Sequence, residues 1–223
     1  MNNERGNATF YLIWLLGLTA LLFFFVINIS KVFFASEQAT NAAEHASLAA
    51  TDVVYDAVNE AVSDFDSHPI HGPLFFASHG LKSLKDIIEK RKLEIRSSDA
   101  NITDSEAQII AINEVLSEEI PQNKELHDLV KSHLEKTDTI FAIQSVASQN
   151  IISNGAKDNN ASIKYFNSDE RIEVDAEADS KLTSFQGFFE KSLKEISKTG
   201  QGPEVPFVKY LNGWSDREIP LDF

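Results

Sequence analysis

Three histidines in the stretch SHPIHGPLFFASHG have the spacing that comes nearest to a metal site. His68 and His71 are three residues apart, and His79 follows. On one face of a helix, this spacing could ligate zinc or nickel. Two prolines in the stretch argue against a helix, and no cysteine or carboxylate completes a ligand set. The sequence therefore predicts a capped loop without a metal ion, with the segment 74–76 packed onto the body.

Carboxylates alternate with apolar residues in the stretch RIEVDAEAD. Successive strand side chains point to opposite faces, so the four acids line one face of a strand. These acids are Glu173, Asp175, Glu177 and Asp179. An EF-hand calcium loop would need a glycine at its sixth position and a glutamate at its twelfth, and the stretch DAEADS provides neither. We therefore predict a solvated acidic strand, paired in a hairpin whose turn lies at residues 167–169.

The chain carries no motif of a known catalytic site. Walker, GxSxG and HExxH patterns are absent from the sequence, and the lack of cysteine excludes thiol chemistry and disulfides. The net charge of −14 excludes a basic nucleic-acid footprint. The one basic run, LKSLKDIIEKRKLEIR, could meet anionic lipid or an acidic partner, but neutralising acids of its own fold is the favoured interpretation. We predict no enzyme activity, no cofactor and no metal.

An uncharged apolar run from Ala8 to Ile27 could anchor the rest of the chain in a membrane. Twenty helical residues cover roughly 30 Å, the thickness of a hydrocarbon core. Tyr11 and Trp14 suit one interface, and Lys31 can reach the other. A cleaved signal peptide would have a shorter apolar region and a clear cleavage site, so a retained anchor is favoured over a cleaved signal or a buried soluble helix. The predicted membrane-anchor residues are Phe10, Tyr11, Leu12, Ile13, Trp14, Leu15, Leu16, Leu18, Leu21, Leu22, Phe23, Phe24, Phe25, Val26 and Ile27.

The helix should continue past the membrane as an alanine-rich stem, because neither glycine nor proline occurs between Leu18 and Ser67. Small residues recur in steps of four and three, as in a heptad seam. Small side chains let helix backbones approach closely, so the stem should pack against a helix of its own chain or of a neighbour. The predicted packing residues are Ala35, Ala39, Ala42, Ala46, Ala49 and Val53.

The remaining chain predicts a small helical body. Besides the basic run, apolar periodicity predicts helices in TDSEAQIIAINEVLSEEI, NKELHDLVKSHLEK and TDTIFAIQSVASQNIISNG. Thr103 and Glu106 have capping-box spacing. The stretch SFQGFFEKSLKEISKTGQG predicts a short helix carrying Phe185, Phe188, Phe189, Leu193 and Ile196. The extended C-terminal stretch should close over the core rather than form a contact patch, through Phe207, Tyr210, Leu211 and Trp214.

The first part of the chain resembles the N-terminal region of Tad (tight adherence) pilus-assembly proteins of the TadE- and TadG-like kind. The resemblance is carried by Arg5-Gly6, the apolar span, Gln38 and the alanine-rich segment that ends in Leu48-Ala49-Ala50. Processed members of the family have a glutamate five residues after the cleaved glycine, and here that position is Tyr11. The resemblance thus implies a membrane-retained accessory protein rather than a polymerising pilin, and leaves cleavage after Gly6 open.

The sequence predicts a mainly α protein with a small antiparallel β-hairpin, of class α+β. Its parts are a short tail over residues 1–7, a transmembrane helix over 8–30, a stem over 31–66 and an acidic extracytoplasmic body over 67–223. By the resemblance, the protein is a structural or accessory component of a Tad-type pilus or related envelope assembly in a bacterial cell membrane. Its partners would be the lipid bilayer and helices of other components of the assembly or of a second copy of the chain. The alternative is a membrane-tethered ligand-binding or adhesion module.

Overall fold

The computed structural model describes residues 4–180, 195–213 and 217–221. These residues form six α-helices and one antiparallel sheet of four strands. The predicted fold class, mainly α with a small antiparallel β element, is confirmed.

Helix α1 runs without a break from Glu4 to Ser67. Its 64 residues would extend about 96 Å at 1.5 Å per residue. The predicted anchor and stem are therefore two parts of one helix. Large side chains of its first half are exposed, whereas one face of its second half is buried.

Helix α2, His71–Ser78, corrects the prediction of a loop. Pro73 lies in the first turn, where a helix needs no intrahelical N–H donor, so proline does not prevent the helix from starting. Only Gly72 and Phe75 are buried, and Leu74 and Phe76 are exposed. The predicted packing of the whole segment 74–76 onto the body was therefore wrong for two of its three residues.

Helices α3, Leu84–Ser98, and α4, Asp104–Glu119, both begin at a capping box. In α4, the Thr103 side chain accepts a hydrogen bond from the Glu106 N–H and the Glu106 side chain accepts one from the Thr103 N–H, which confirms the predicted cap. A 3-10 turn at Ile120–Gln122 contains Pro121 and ends this helical pair.

Helices α5, Lys124–Glu135, and α6, Thr137–Ser153, confirm the other two helix predictions. Gly155, just beyond α6, has a φ of +80° and lies beside the side chain of Gln38. Helix α6 begins near the far end of α1, where α5 contacts it, and so returns antiparallel to α1.

The predicted hairpin is present as β1, Lys157–Tyr165, and β2, Arg171–Asp179. The Asn167 side chain organises its turn by accepting hydrogen bonds from the N–H groups of Asp169 and Arg171. Two further strands, β3 (Glu195–Glu204) and β4 (Arg217–Pro220), extend the hairpin to a sheet of order β3-β2-β1-β4.

Strand β3 corrects the prediction that residues 195–202 end a helix. Ile196, Gly200 and Gly202, at the end of the stretch that predicted a helix, all lie in this strand. Apolar content was misread as helical period because the stretch is too short to separate the two periods. The other residues of that predicted helix, from Phe185 to Leu193, lie outside the described residues.

The core forms where the second half of α1 contacts β2 and β3 together with α5 and α6. Phe207 and Leu211 from the C-terminal stretch are buried in it, which confirms core closure for these two residues. Tyr210 is partly exposed, and Trp214 lies outside the described residues.

Candidate functional site

The anchor segment is the most exposed apolar surface of the described chain. Its fifteen predicted residues, from Phe10 to Ile27, are each 42% to 72% exposed. One described helix is long and apolar enough to cross a membrane, with a mean hydropathy of 2.5 over its most apolar window. Burying one such side chain stabilises by roughly 1.5–3 kcal/mol, so moving the whole segment out of water would be favourable by tens of kcal/mol.

The small-residue face of α1 is buried within the chain itself. Ala35, Ala39, Ala42 and Ala46 are at most 1% exposed, and Ala49 and Val53 are half-buried. Beyond Ala46, burial shifts by one residue from the predicted seam. It then follows Ala50, Val54, Val58, Ala61 and Phe65. An untwisted α-helix drifts relative to a heptad repeat, and this drift accounts for the shift.

Two glycines of β3 fit the sheet onto this face. A Cβ placed on Gly200 would lie 2.3 Å from the carbonyl carbon of Ala43, and one on Gly202 would lie 2.4 Å from Thr51 Oγ1. Atoms cannot approach so closely, so only glycine allows this strand to contact the helix backbone. Residues two apart in a strand share a face, so the Gly-x-Gly spacing was the sequence signal that one face of this strand could pack closely against another element.

Three polar contacts tie the far half of α1 to the helices around it. The Tyr55 hydroxyl lies 3.1 Å from Oδ1 and 2.9 Å from Nδ2 of Asn113 in α4. The pKa of Tyr55 is raised to about 12, chiefly by burial; the hydrogen bond with Asn113 opposes this rise, and the negative charges of Asp52 and Glu204 contribute to it. This tyrosine is therefore neutral over the physiological range.

Asp66 and His133 provide the other two contacts. The Asp66 carboxylate accepts hydrogen bonds of 2.9 Å from the N–H groups of Leu84 and Lys85, at the start of α3. His133 of α5 is 3% exposed, and its Nε2 lies 2.9 Å from Asp64 Oδ2. Lys136 Nζ lies 3.0 Å from His133 Nδ1 and 3.3 Å from its Nε2, so a lysine and two acids of α1, Glu60 and Asp64, surround this ring.

The basic run on α3 pairs with acids of α4. Arg91 reaches Glu114 and Glu118 at 3.5 and 3.8 Å, and Lys92 lies 2.8 Å from Asp104. The interpretation that these cations neutralise acids of their own fold is confirmed for these residues. Solvent screens the exposed partners of these pairs, so the pairs contribute little to stability.

The three histidines do not form a common ligand set. The rings of His68 and His71 stack at 4.5 Å, whereas His79 stacks on Phe75 at 3.8 Å and faces Glu119 at 3.5 Å. Within the described residues, no group of three or more histidines and carboxylates converges on a point.

The acidic face of β2 is engaged by its neighbouring strands. Ile172, Val174, Ala176 and Ala178 are buried, so the predicted alternation is confirmed. Lys164 Nζ lies 2.7 Å from Glu173, and Lys157 Nζ lies 2.6 Å from Asp179. Asp175 accepts a hydrogen bond from Thr199. Partners on the neighbouring strands thus hold Glu173, Asp175 and Asp179 on the outer face of the sheet.

One exposed apolar helix carries a small α+β body on its far half. This architecture defines a class of proteins that a single helix can anchor in a membrane. Residues 6–57 match the family model of Tad, described as putative Flp pilus-assembly TadE/G-like. The N-terminal region is thus TadE/G-like, as its resemblance predicted. No curated protein and no solved structure matches the chain.

Proposed function

We propose that the chain is a single-pass membrane protein that serves as a structural or accessory component of a Tad-type pilus or related bacterial envelope assembly. One coincidence carries the proposal. Within residues 6–57, the family match coincides with an exposed apolar helix that continues unbroken into a buried small-residue face. Because the anchor and the body share one continuous helix, the protein could hold other components of the assembly at a fixed place on the membrane.

Residues 8–30 of α1 cross the bilayer in this proposal, and residues 1–7 stay in the cytoplasm. The body after the stem lies outside the cytoplasm in this proposal, as the family resemblance implies. At 1.5 Å per residue, Ser67 would lie up to about 60 Å from the end of the apolar span. The body packs along this rod from Ala35 onward, so in this proposal it begins close to the membrane surface and extends outward from it.

Partner helices meet the anchor segment rather than the alanine face in this proposal. The chain's own sheet and helices already cover Ala35 to Ala46, whereas the anchor residues remain exposed. The role is structural, carried by packing and protein contacts, without a cofactor. The proposal includes retention of Met1 to Gly6, because Tyr11 stands where the resemblance expects a glutamate in processed members.

Alkaline carbonate extraction of membranes tests the anchor. The full-length protein should stay in the pellet, and the variant Leu16→Arg with Phe24→Arg should move to the supernatant, because each charge costs about 2.5–3.5 kcal/mol in a membrane helix. Leu93→Arg, at an exposed site of α3, is the matched control and should stay in the pellet. Release of the unmodified protein by carbonate would refute the proposal.

Single cysteines test the orientation, since the chain has none of its own. In spheroplasts, a membrane-impermeant maleimide should label Ser105→Cys, at an exposed position of α4, and should leave Asn7→Cys unlabelled until the cells are lysed. The reverse pattern would place the body in the cytoplasm. The intact mass of the purified chain reports whether residues 1–6 are retained.

A further inference from the structure

The outward face of α1 stays apolar and exposed beyond the predicted end of the membrane span. Phe33 and Phe34 are 68% and 66% exposed, and Ile29, one turn earlier, is 42% exposed. The Ser30 hydroxyl on this face donates to the backbone carbonyl four residues earlier at 2.9 Å, so it needs no partner from water. The first charged residue on the same face beyond Phe33 is the exposed Glu37. The apolar face of the anchor therefore continues to Phe34.

The opposite face of α1 is covered over the same length. Asn28 and Ala35, seven residues apart, are 7% and 1% exposed. At about 100° per residue, Asn28 points away from both Phe33 and Phe34. Lys31 lies three residues from Asn28 and four from Ala35, so it borders the covered face, and it is half-buried. At one height along the helix, one face is thus buried within the protein and the other presents two phenylalanine side chains.

A hydrocarbon core that includes these two phenylalanines also suits the other end of the span. About twenty helical residues cover the core, so a core that ends at Phe34 begins near Leu15. Tyr11 and Trp14 then lie in the opposite headgroup layer, where amphipathic aromatic rings are favoured. A core over residues 8–27 would instead bury the polar atoms of both rings in lipid and leave both phenylalanines in water.

The turn between α6 and β1 is a part of the body that lies just beyond this boundary. A Cβ on Gly155 would lie 2.6 Å from Gln38 Nε2, which places the turn beside α1 four residues beyond Phe34. Four helical residues cover about 6 Å, and a headgroup layer is roughly 5–7 Å thick. Ser153 and Gly155 are exposed and uncharged, as suits a surface among zwitterionic headgroups. The turn is therefore within reach of the headgroups when Phe34 lies at the edge of the hydrocarbon core.

We propose that the hydrocarbon core covers α1 from about Leu15 to Phe34, and that the base of the body lies in the outer headgroup layer with the turn after α6 in contact with lipid headgroups. This inference rests on the proposed function, because it takes α1 as the anchor, and it moves the end of the span from residue 30 to Phe34. Lipid is favoured over a partner protein because Phe33 and Phe34 continue the anchor surface, and because the register that they set places aromatic rings at the other interface.

Depth-dependent quenching of a fluorescent label tests this register, because the chain has no cysteine of its own. Full-length single-cysteine variants are labelled with NBD and reconstituted into phosphatidylcholine vesicles that carry a nitroxide on the headgroup, high on the acyl chain or at its end. Phe34→Cys should be quenched more by the high acyl nitroxide than by the headgroup nitroxide, and Ser153→Cys should show the reverse. Ser67→Cys, roughly 50 Å beyond Phe34 on the same helix, is the matched control and should be quenched at least about threefold less than Phe34→Cys.

The centre of the bilayer gives a second readout of the same register. A core from Leu15 to Phe34 has its midpoint near Phe24, so the nitroxide at the chain end should quench Phe24→Cys more than Leu18→Cys. Stronger quenching of Leu18→Cys, with Phe34→Cys quenched mainly from the headgroup, overturns the inference and leaves the anchor intact. Absence of quenching at all of these positions refutes the anchor, and with it the proposed function.

Removal of the two phenylalanines tests whether they set the height of the body. Phe33→Asn with Phe34→Asn should lower headgroup quenching of Ser153→Cys at least about twofold, because the core then moves back along α1 and the body rises from the surface. Leu48→Asn, at a 48% exposed apolar site beyond the boundary, is the matched control and should leave this quenching unchanged. Equal quenching in all three proteins overturns the inference. So does quenching of Phe34→Cys that falls as the protein-to-lipid ratio is raised, which would assign this face to a second copy.

Discussion

Gly200 of β3 and Ala43 of α1 meet backbone to backbone: a Cβ on the glycine would lie 2.3 Å from the carbonyl carbon of Ala43. The sheet can therefore pack this closely on the helix only where the side chains on both surfaces are small or absent. Substitution on the strand side tests this relationship directly.

Gly200→Ala should lower the free energy of unfolding by about 2–4 kcal/mol, because the added carbon would meet rigid backbone rather than a movable side chain. Urea unfolding in detergent, followed by circular dichroism, measures the change. Gly17→Ala is the control, since nothing lies within 4 Å of a Cβ there. Equal stability of Gly200→Ala and the unmodified protein would contradict the close contact.

Asp66→Ala should destabilise the protein by about 1–2 kcal/mol, because two N–H groups at the start of α3 lose their acceptor. Hydrogen exchange should accelerate at Leu84 and Lys85. Asp66→Asn keeps one carbonyl acceptor and should lose less. Asp56→Ala, at an exposed site on the same helix, should change little. Unchanged exchange at α3 in Asp66→Ala would count against the cap.

Tyr55→Phe should cost about 1 kcal/mol at pH 8, from the lost hydrogen bond with Asn113. The pH dependence is more specific. Burial raises the pKa of Tyr55 to about 12, so above its unfolded pKa of about 10 the unfolded chain ionises first and the folded state loses stability. The unmodified protein should therefore lose stability more steeply than Tyr55→Phe between about pH 10 and 12. Parallel stability curves for the two proteins over this range would show that folding does not raise the pKa of Tyr55.

Glu173 should stabilise the sheet at neutral pH and lose this effect in acid. The hydrogen bond from Lys164 lowers the pKa of Glu173 most, burial opposes it, and hydrogen bonds from Asn167 and Gln201 lower it further. A lowered folded pKa gives stability that is present above the unfolded pKa, about 4.3, and disappears as pH falls through the folded value.

Glu173→Gln should accordingly be about 1 kcal/mol less stable than the unmodified protein at pH 7, and the gap should close below about pH 4. Urea midpoints from pH 7 to 3 measure this gap. Glu135→Gln, at an exposed site, should show no such gap. A constant gap for Glu173→Gln across the whole range would assign the loss to packing rather than to charge.

Local sequence patterns predicted most of the helices and the hairpin. The Thr103 and Glu106 cap, the alternation of β2 and the unbroken run of α1 are each specified by residues within a few positions of one another. Short-range patterns of this kind need no knowledge of the fold. Two local readings failed, at α2 and at β3, where short segments allow more than one conformation.

The sequence by itself determined that α1 is one long helix, apolar at its start and small-sided farther along, because helix propensity, hydropathy and residue size are local properties. Only the tertiary structure decided what meets each face. The stem contacts a sheet through Gly200 and Gly202 as well as several helices, mainly α5 and α6, and Leu74 and Phe76 of α2 stay exposed. Such pairings join residues far apart in the chain, 58 positions for Tyr55 and Asn113 and more for Ala43 and Gly200, and their fit depends on distances that no local pattern encodes.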